Sequence, residues 1–321
     1  MKQILITGAV GQIGSELTVA LRKRYAPEQV VATDIRLPTL PALRDSGPFV
    51  ILDVLETDQI AQVVQECRID TIFHLGAILS ATGESNPAKA WHVNMNGLFN
   101  MLEAAREFHC AVFFPSSIGA FGPSTPKEKT PQDTIMRPET MYGVTKLAGE
   151  LLCDYYHTKF GVDTRGLRFP GLISYETEPG GGTTDYAVAI FFEAVRRKRY
   201  TCYLKPDTYL DMMYMPDAIR AMIELMEVEP MRLTHRNAFN VTAMSFTPAQ
   251  LAGEIRRHIP EFFIDYQIDP VRQAIADSWP NSMDDSAARH EWGWKPAYDL
   301  PGMVGAMIEA VSRKIHQQAQ V

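Results

Sequence analysis

Short apolar runs alternate with longer amphipathic segments along the first half of the chain. The apolar runs predict six strands, at residues 3–7, 30–34, 49–53, 71–75, 111–116 and 164–169. The segments between them have helical spacing and predict helices at 12–25, 57–67, 88–108 and 142–160. Strands that alternate with helices form a parallel sheet covered on both faces. The sequence therefore predicts an α/β protein with a Rossmann-type, doubly wound parallel sheet.

The pattern loosens after Pro170, where a glycine-rich stretch occupies residues 180–184. Later helices are predicted at 186–199, 248–258 and 303–315, and another begins at Met215. We expect residues 1–170 to form a nucleotide-binding domain, to which 209–240 return. Residues 171–208 and 241–321 then form a smaller C-terminal substrate-binding lobe.

Three glycines, in the run Gly8-Ala9-Val10-Gly11-Gln12-Ile13-Gly14, join the first predicted strand to the first predicted helix. Glycines allow a tight turn and a close approach of the backbone to a pyrophosphate, which then faces the N–H groups of the helix N-terminus. Taken alone, a plain glycine-rich turn accounts for this spacing equally well. The place between strand and helix favours an NAD site, with contacts from Gly8, Gly11, Gln12, Ile13 and Gly14.

Asp34 ends the second predicted strand, about 20 residues beyond the glycines. A carboxylate there is placed to hydrogen-bond the ribose hydroxyls of NAD, and it repels the additional phosphate of NADP. Arg36 could attract that phosphate, but we give the charge of Asp34 more weight. Because ligands bind at the carboxyl ends of parallel strands, later strand ends complete the predicted cofactor site, with Asp53, Val54, Leu75, Gly76, Ala77 and Phe169.

Tyr142 and Lys146 lie four residues apart on one predicted helix, so their side chains share a face. A neighbouring ammonium favours the phenolate, and we expect it to lower the pKa of Tyr142 and allow base chemistry nearer neutral pH. Tyr155 and Lys159 repeat the spacing about 20 Å further along the helix axis, too far from the strand ends to join the same site. Ser117 follows a predicted strand and precedes Tyr142 by 25 residues. Its place favours Tyr142 and Lys146, rather than Tyr155 and Lys159, as the reacting pair.

Together these motifs resemble the extended short-chain dehydrogenase/reductase family. The resemblance rests on the glycine spacing, Asp34, Asp53, His74 to Ala77, Asn94, Ser116-Ser117, Tyr142 with Lys146, and Trp292 to Pro296. It implies a triad in which Tyr142 is the acid/base, Lys146 lowers its pKa and holds the nicotinamide ribose, and Ser117 hydrogen-bonds the substrate oxygen. Ser116 is the fallback for Ser117, and Asn94 joins the cofactor site. The resemblance also implies a homodimer, formed by residues 88–108 and 142–160 as a four-helix bundle.

Three segments, at 169–174, 180–186 and 212–218, are similar to one branch of that family, the short-chain-type L-threonine 3-dehydrogenases. This likeness implies oxidation of the 3-hydroxyl of L-threonine to 2-amino-3-oxobutanoate. The predicted substrate contacts are Ser80, Ser116, Ser117, Tyr142, Thr183, Thr184 and Trp279.

Two other functions stay open. One is a nucleotide-sugar epimerase or dehydratase, although the second half offers few basic residues at loop positions for a diphosphate. The other is a non-catalytic NAD-sensing protein, which predicts a damaged triad, whereas Ser117, Tyr142 and Lys146 are all present.

Composition narrows the range of partners. The net charge of −7 over 321 residues argues against nucleic acid as the main partner. No apolar stretch approaches the ~20 residues of a membrane helix. The four cysteines are far apart and lack any C-x-x-C pair, which argues against a zinc site and disulfides. We expect a cytoplasmic enzyme with a small-molecule substrate and without a metal.

Overall fold

Seven parallel strands form the main sheet. The computed structural model describes residues 1–176 and 182–318, and within them it has twelve strands. In chain order these are β1 (Ile4–Thr7), β2 (Val30–Asp34), β3 (Phe49–Ile51), β4 (Thr71–His74), β5 (Ala111–Ser117), β6 (Thr164–Phe169), β7 (Gly171–Ile173), β8 (Arg199–Cys202), β9 (Leu210–Tyr214), β10 (Phe239–Asn240), β11 (Met244–Phe246) and β12 (Phe263–Tyr266). The main sheet has the order β10-β6-β5-β4-β1-β2-β3, and all its pairs are parallel. The predicted doubly wound parallel sheet is confirmed.

Thirteen α-helices connect and cover the strands in the described part of the chain. They are α1 (Gln12–Arg24), α2 (Pro41–Arg44), α3 (Thr57–Glu66), α4 (Ser80–Ser85), α5 (Pro87–Trp91), α6 (Gly97–Phe108), α7 (Met141–Phe160), α8 (Tyr186–Arg197), α9 (Met215–Glu227), α10 (Pro248–His258), α11 (Pro270–Ser278), α12 (Ser286–Trp292) and α13 (Leu300–Gln318). The helices predicted at 12–25, 57–67, 142–160 and 248–258 are confirmed to within one residue. Among the described residues, no helix is long and apolar enough to cross a membrane.

Three predicted helices differ from the structure. The helix predicted at 303–315 is longer at both ends, as α13 (Leu300–Gln318). The single helix predicted at 88–108 is divided into α5 and α6 by a π-helical segment, His92–Asn96. The helix predicted at 186–199 ends at Arg197, because Lys198 has a left-handed backbone conformation with φ of +56°. Arg199 then begins β8, which pairs with the distant strand β12.

Side chains alternate between the two faces of the main sheet. On β1, Ile4 and Ile6 pack into a core with α1 and α9, whereas Leu5 packs into a second core with α3, α6 and α7. Both faces of the sheet are thus buried, as a parallel sheet requires.

A third core lies among elements of the second half of the chain. It is formed by α8, α10, α11 and α13 and by β9. Here β9 lies between β7, its parallel neighbour, and β11, its antiparallel neighbour. The α12 residues Ala288 and Trp292 instead pack into the core that contains α1 and α9. The predicted domain limits stay a prediction.

The outer edge of β10 is covered by a side chain. Gln132 Nε2 donates to the Ala238 carbonyl oxygen at 2.7 Å, and Gln132 Oε1 accepts from the Asn240 N–H at 2.8 Å. One amide therefore satisfies two backbone groups that a neighbouring strand could otherwise bind.

Candidate active site

The glycine run forms a cradle between β1 and α1. Gly8 has a positive φ of +68°, and a Cβ there would lie 2.7 Å from the Gly76 nitrogen. A Cβ at Gly14 would overlap the Gly8 carbonyl oxygen and lie 2.8 Å from the Ala9 Cα. Gly11, Gln12 and Ile13 complete the turn and begin α1, whose first N–H groups have no partner within the helix. Only glycine fits at Gly8 and Gly14, and the cradle is open to a pyrophosphate.

Asp34 closes one end of this cradle. Its carboxylate accepts from the Val10 N–H at 3.0 Å and from the Arg36 N–H at 3.2 Å, and its side chain is only 8% exposed. The Arg36 guanidinium stands 3.6 Å from the Asp34 carboxylate and is 68% exposed. Asp34, which favours NAD, and Arg36, which would favour NADP, are therefore paired with each other. The glycine loop holds the Asp34 carboxylate through the Val10 N–H.

The ends of β3 and β4 lie beside the glycine cradle. Thr7 Oγ1 accepts from the Gly76 N–H at 3.3 Å, which joins the end of β1 to the Leu75-Gly76-Ala77 segment. Val54 is buried and faces both Gly76 and Gly97. Asp53 lies in the same turn and accepts from the Leu55 N–H at 3.0 Å.

Asn94 holds the segment after β4 in place. Its amide accepts from the Ile78 N–H at 2.7 Å and donates to the Ile78 carbonyl at 3.1 Å. The same Nδ2 donates to Thr145 Oγ1 at 3.1 Å, which ties α7 to this segment. Asn94 is buried within the π-helical segment. Both polar atoms of its amide are therefore engaged within the protein, where they position the segment after β4.

Ser117, Tyr142 and Lys146 are brought together at the end of β5. Ser117 Oγ accepts from the Gly119 N–H at 3.1 Å, which leaves its own proton available to another oxygen. A Cβ at Gly119 would lie 3.3 Å from the Tyr142 ring and 3.5 Å from Ser117 Oγ. Lys146 Nζ donates to the Pro115 carbonyl at 2.6 Å and lies 5.5 Å from the Tyr142 ring centroid.

Burial dominates the ionisation of this group. It raises the pKa of Tyr142, while the hydrogen bond with Ser117 lowers it by less. The expected net lowering by Lys146 is wrong in this structure, because desolvation of the phenolate is the larger effect. Burial also lowers the pKa of Lys146 to about 8, against a raising effect from Glu150. His74, buried beside Thr7 Oγ1 at 2.9 Å, has its pKa lowered to about 3 by burial and by Lys146.

A buried acid whose importance was not evident in the sequence lies one turn beyond Lys146. Glu150 accepts a hydrogen bond from Ser116 Oγ and pairs with Arg168, whose Nη2 lies 2.8 Å from Glu150 Oε2. Both side chains of the ion pair are under 10% exposed. The spacing of four residues from Lys146 is visible in the sequence, but the partner on β6 is not.

The structure brings only some of the predicted substrate residues together. Ser117 and Tyr142 form the group just described, whereas the Ser116 hydroxyl is directed at Glu150 and is not part of it. Ser80 begins α4 and is buried. Trp279 follows α11 and packs in the third core.

Thr183 and Thr184 lie just after residues 177–181, which are outside the described part of the chain. Thr183 is buried, and Tyr203 donates to its carbonyl at 3.2 Å. Thr184 packs against Gly171, where a Cβ would lie 2.7 Å from the threonine methyl group. Of the predicted segment at 180–184, Gly180 and Gly181 are not described.

The NAD dependent epimerase/dehydratase family matches residues 4–242. The chain belongs to this family. Its members are NAD-dependent, and the glycine cradle with Asp34 at its end fits that cofactor, so NAD is the cofactor of the chain. Phe169 ends β6 beside Ser117 of β5 and completes the predicted contacts.

This family member has relatives along nearly its whole length. It is 57% identical over 314 residues to an uncharacterized epimerase/dehydratase of Staphylococcus haemolyticus, covering 98% of this chain and 99% of the relative. A solved structure of L-threonine dehydrogenase from Clostridium difficile is 57% identical, with a TM-score of 0.96 and 98% of each chain covered. A monomeric L-threonine 3-dehydrogenase from a metagenome is 43% identical, with a TM-score of 0.93 and 97% and 99% covered. With these likenesses and the family's cofactor, the protein is an NAD-dependent oxidoreductase.

Proposed function

We propose that this oxidoreductase converts L-threonine to 2-amino-3-oxobutanoate by oxidising its 3-hydroxyl. The observation that carries the proposal is the group formed by Ser117, Tyr142 and Lys146 at the end of β5, which lies two strands from β1 and the glycine cradle. The likeness to L-threonine dehydrogenases at 57% and 43% identity supports the choice of substrate. The metal-free chemistry of the proposal needs only these side chains and NAD.

In this reaction Tyr142 takes the proton of the substrate hydroxyl. Ser117 donates its hydroxyl proton to the substrate oxygen and orients it, while one of its own lone pairs accepts from the Gly119 N–H. Lys146 places a positive charge beside the Tyr142 ring, which favours the phenolate. NAD, held by the glycine cradle and Asp34, would supply the acceptor for the hydride that leaves C3. Because burial raises the pKa of Tyr142, the oxidation rate should increase as the pH rises above neutral.

The cofactor and substrate contacts extend the same proposal. Gly8, Gly11, Gln12, Ile13 and Gly14 hold the pyrophosphate, and Asp34 holds a ribose. Thr183 and Thr184 bind the substrate carboxylate, Ser80 binds the carboxylate or amine, and Trp279 closes over the pocket. Ser116 is assigned no direct contact, since its hydroxyl is engaged by Glu150.

A homodimer in the cytoplasm completes the proposal. Apolar side chains on α6 and α7 are exposed to solvent, among them Phe99 at 48%, Leu151 at 62% and Phe160 at 43%. Such a face is costly to leave in water and suits a second copy of the chain. Four free cysteines support a reducing compartment.

The test is formation of NADH by purified protein with NAD and L-threonine. Parallel reactions contain NADP in place of NAD, or no amino acid. We expect NADH only with NAD and threonine together. Tyr142→Phe should reduce the rate by more than about a hundredfold, because it removes the acid/base. Tyr155→Phe is the matched control, since Tyr155 has the same spacing to a lysine on the same helix but is 52% exposed.

Two outcomes would contradict the proposal. Activity of Tyr142→Phe within about tenfold of the parent would remove Tyr142 as the acid/base. A folded, NAD-binding protein that makes no NADH from threonine would remove the substrate, and a nucleotide-sugar epimerase that keeps its NADH bound would then be assayed.

A further inference from the structure

Two side chains one turn apart on α7 contact consecutive residues of β5. Lys146 Nζ donates to the Pro115 carbonyl at 2.6 Å, and Glu150 accepts from the Ser116 hydroxyl. Ser117, the next residue, carries the predicted substrate contact. Helix α7, which carries Tyr142, is therefore hydrogen-bonded to β5 at the two residues that precede Ser117.

The same carboxylate reaches the neighbouring strand. Arg168 Nε and Nη2 lie 3.0 and 2.8 Å from the two oxygens of Glu150, and in the sheet Arg168 stands directly beside Ser116. Arg168 also donates to the Gln132 carbonyl at 2.8 Å and to Asn240 Oδ1 at 3.1 Å. The cluster thus joins α7, β5, β6, β10 and the Gln132 segment through one carboxylate and one guanidinium.

Glu150 is also the acidic group that acts on Lys146. Its negative charge favours the charged ammonium, against the effect of burial. The other titratable groups facing Lys146 in the described residues are Tyr142 and Cys153 on α7 and His74 on β4. Cys153 and Tyr142 carry no charge in their protonated forms, and burial, together with the charge of Lys146, keeps His74 neutral. Arg168 is paired with Glu150.

We propose that Glu150, held by Arg168, is a positioning residue of the active site: it fixes the end of β5 against α7 and keeps Lys146 charged. A buried ion pair contributes little net stability on average, so stability alone does not account for its place directly behind Ser117. This inference rests on the proposed function only for its kinetic effect, because the charge of Lys146 can be measured without substrate or NAD.

The first measurement is the titration of Lys146 by NMR, in protein labelled with 13C at the lysine Cε. The Lys146→Arg variant identifies the signal. We expect Glu150→Gln to lower the midpoint by about one pH unit, the shift expected from loss of one nearby opposite charge. Asp163→Asn is the matched control, since it breaks the pairing of Asp163 with Arg165 and Arg236 at the other end of β6. Asp163→Asn should leave the Lys146 midpoint unchanged.

The second measurement is kinetic and uses the holoenzyme. Glu150→Gln should lower kcat by about tenfold or more, with KM for NAD changed less than about threefold, because the fault lies in the reacting group. Asp163→Asn should lower thermal stability without this loss of kcat. Glu150→Asp keeps the charge and should restore the Lys146 midpoint.

An unchanged Lys146 midpoint in folded Glu150→Gln would overturn the proposal, whatever the substrate is. Equal losses of kcat in Glu150→Gln and Asp163→Asn would show a structural role alone. If Glu150→Gln does not fold, Ser116→Ala tests the contact to β5 by itself and should lower kcat by about threefold or more; no loss would contradict it. A parent protein without threonine activity would contradict the proposed function but leave the titration result valid.

Discussion

Single residues fix the shape of the cofactor cradle. Gly8 needs its positive φ, and Gly14 needs the absence of a Cβ that would overlap the Gly8 carbonyl. Both requirements are predictable from the sequence, since three glycines between a strand and a helix are typical of a turn that approaches a pyrophosphate. The same steric rule makes the two positions intolerant of even a methyl group.

We expect Gly14→Ala to lose both stability and affinity for NAD. The added Cβ forces the Gly8 carbonyl to move and so deforms the cradle. Gly253→Ala is the control, because it adds the same atom within α10 where nothing lies within 4 Å. It should be neutral or stabilise by up to about 1 kcal/mol. Thermal melting and NAD titration by calorimetry measure both effects, and equal NAD affinity in the two variants would contradict this prediction.

The ionisation of the reacting side chains was harder to foresee than their place. Spacing correctly put Tyr142 and Lys146 on one face of α7, but it carries no information on burial. Burial reverses the expected direction for Tyr142. In the same way, the sequence favoured Ser117 but kept Ser116 as a fallback, whereas the strand turns Ser116 to Glu150 and Ser117 to the Tyr142 side. The burial of Tyr142 and the direction of the Ser116 hydroxyl depend on residues far away in the chain, such as Arg168, the partner of Glu150.

Helices and strands with strong periodicity were predictable, and those set by distant contacts were not. The π-helical segment at His92–Asn96 has an apolar pattern that fits a plain helix equally well. Its presence lets Asn94 reach Ile78 and Thr145, which are 16 and 51 residues away in the chain. Likewise Arg199 was predicted to end a helix, whereas it begins β8, which pairs with the distant strand β12.

The exposed faces of α6 and α7 lead to a prediction about assembly. If these helices meet a second copy, Leu151→Glu places a charge within the interface and should convert a dimer to a monomer without unfolding it. Val271→Glu on α11 is the control, since it is also exposed, at 68%, but lies on another element. Light scattering after size-exclusion chromatography gives the mass. A parent protein that is already monomeric would remove the four-helix-bundle proposal.

The segment after β7 joins α1, near the start of the chain, to α13, near its end. Ser174 Oγ donates to Glu16, and Lys314 Nζ on α13 donates to the carbonyls of Tyr175 and Glu176 at 2.9 and 2.7 Å. Burial raises the pKa of Glu16 from 4.5 to about 7. The junction therefore contains a carboxyl group that stays protonated well above its usual range.

This junction predicts how stability depends on pH. Between about pH 4.5 and 7 the folded protein holds a proton on Glu16 that the unfolded chain has released. The free energy of unfolding should therefore fall as the pH rises through this range, by about 3 kcal/mol from this group. Glu16→Gln should remove this decrease, and Glu309→Gln, at an exposed site on α13, should not. Urea unfolding across the range measures it, and equal slopes in all three proteins would contradict the assignment.

The amide of Gln132 has a consequence for solubility. A parallel sheet that ends in a short, bare strand is a template on which a strand of another molecule can pair. By binding the Asn240 N–H of β10 and the Ala238 carbonyl just before it, Gln132 occupies two backbone groups on which a further strand could pair. The β10 edge of the sheet is thereby protected from intermolecular pairing by a side chain of the same molecule.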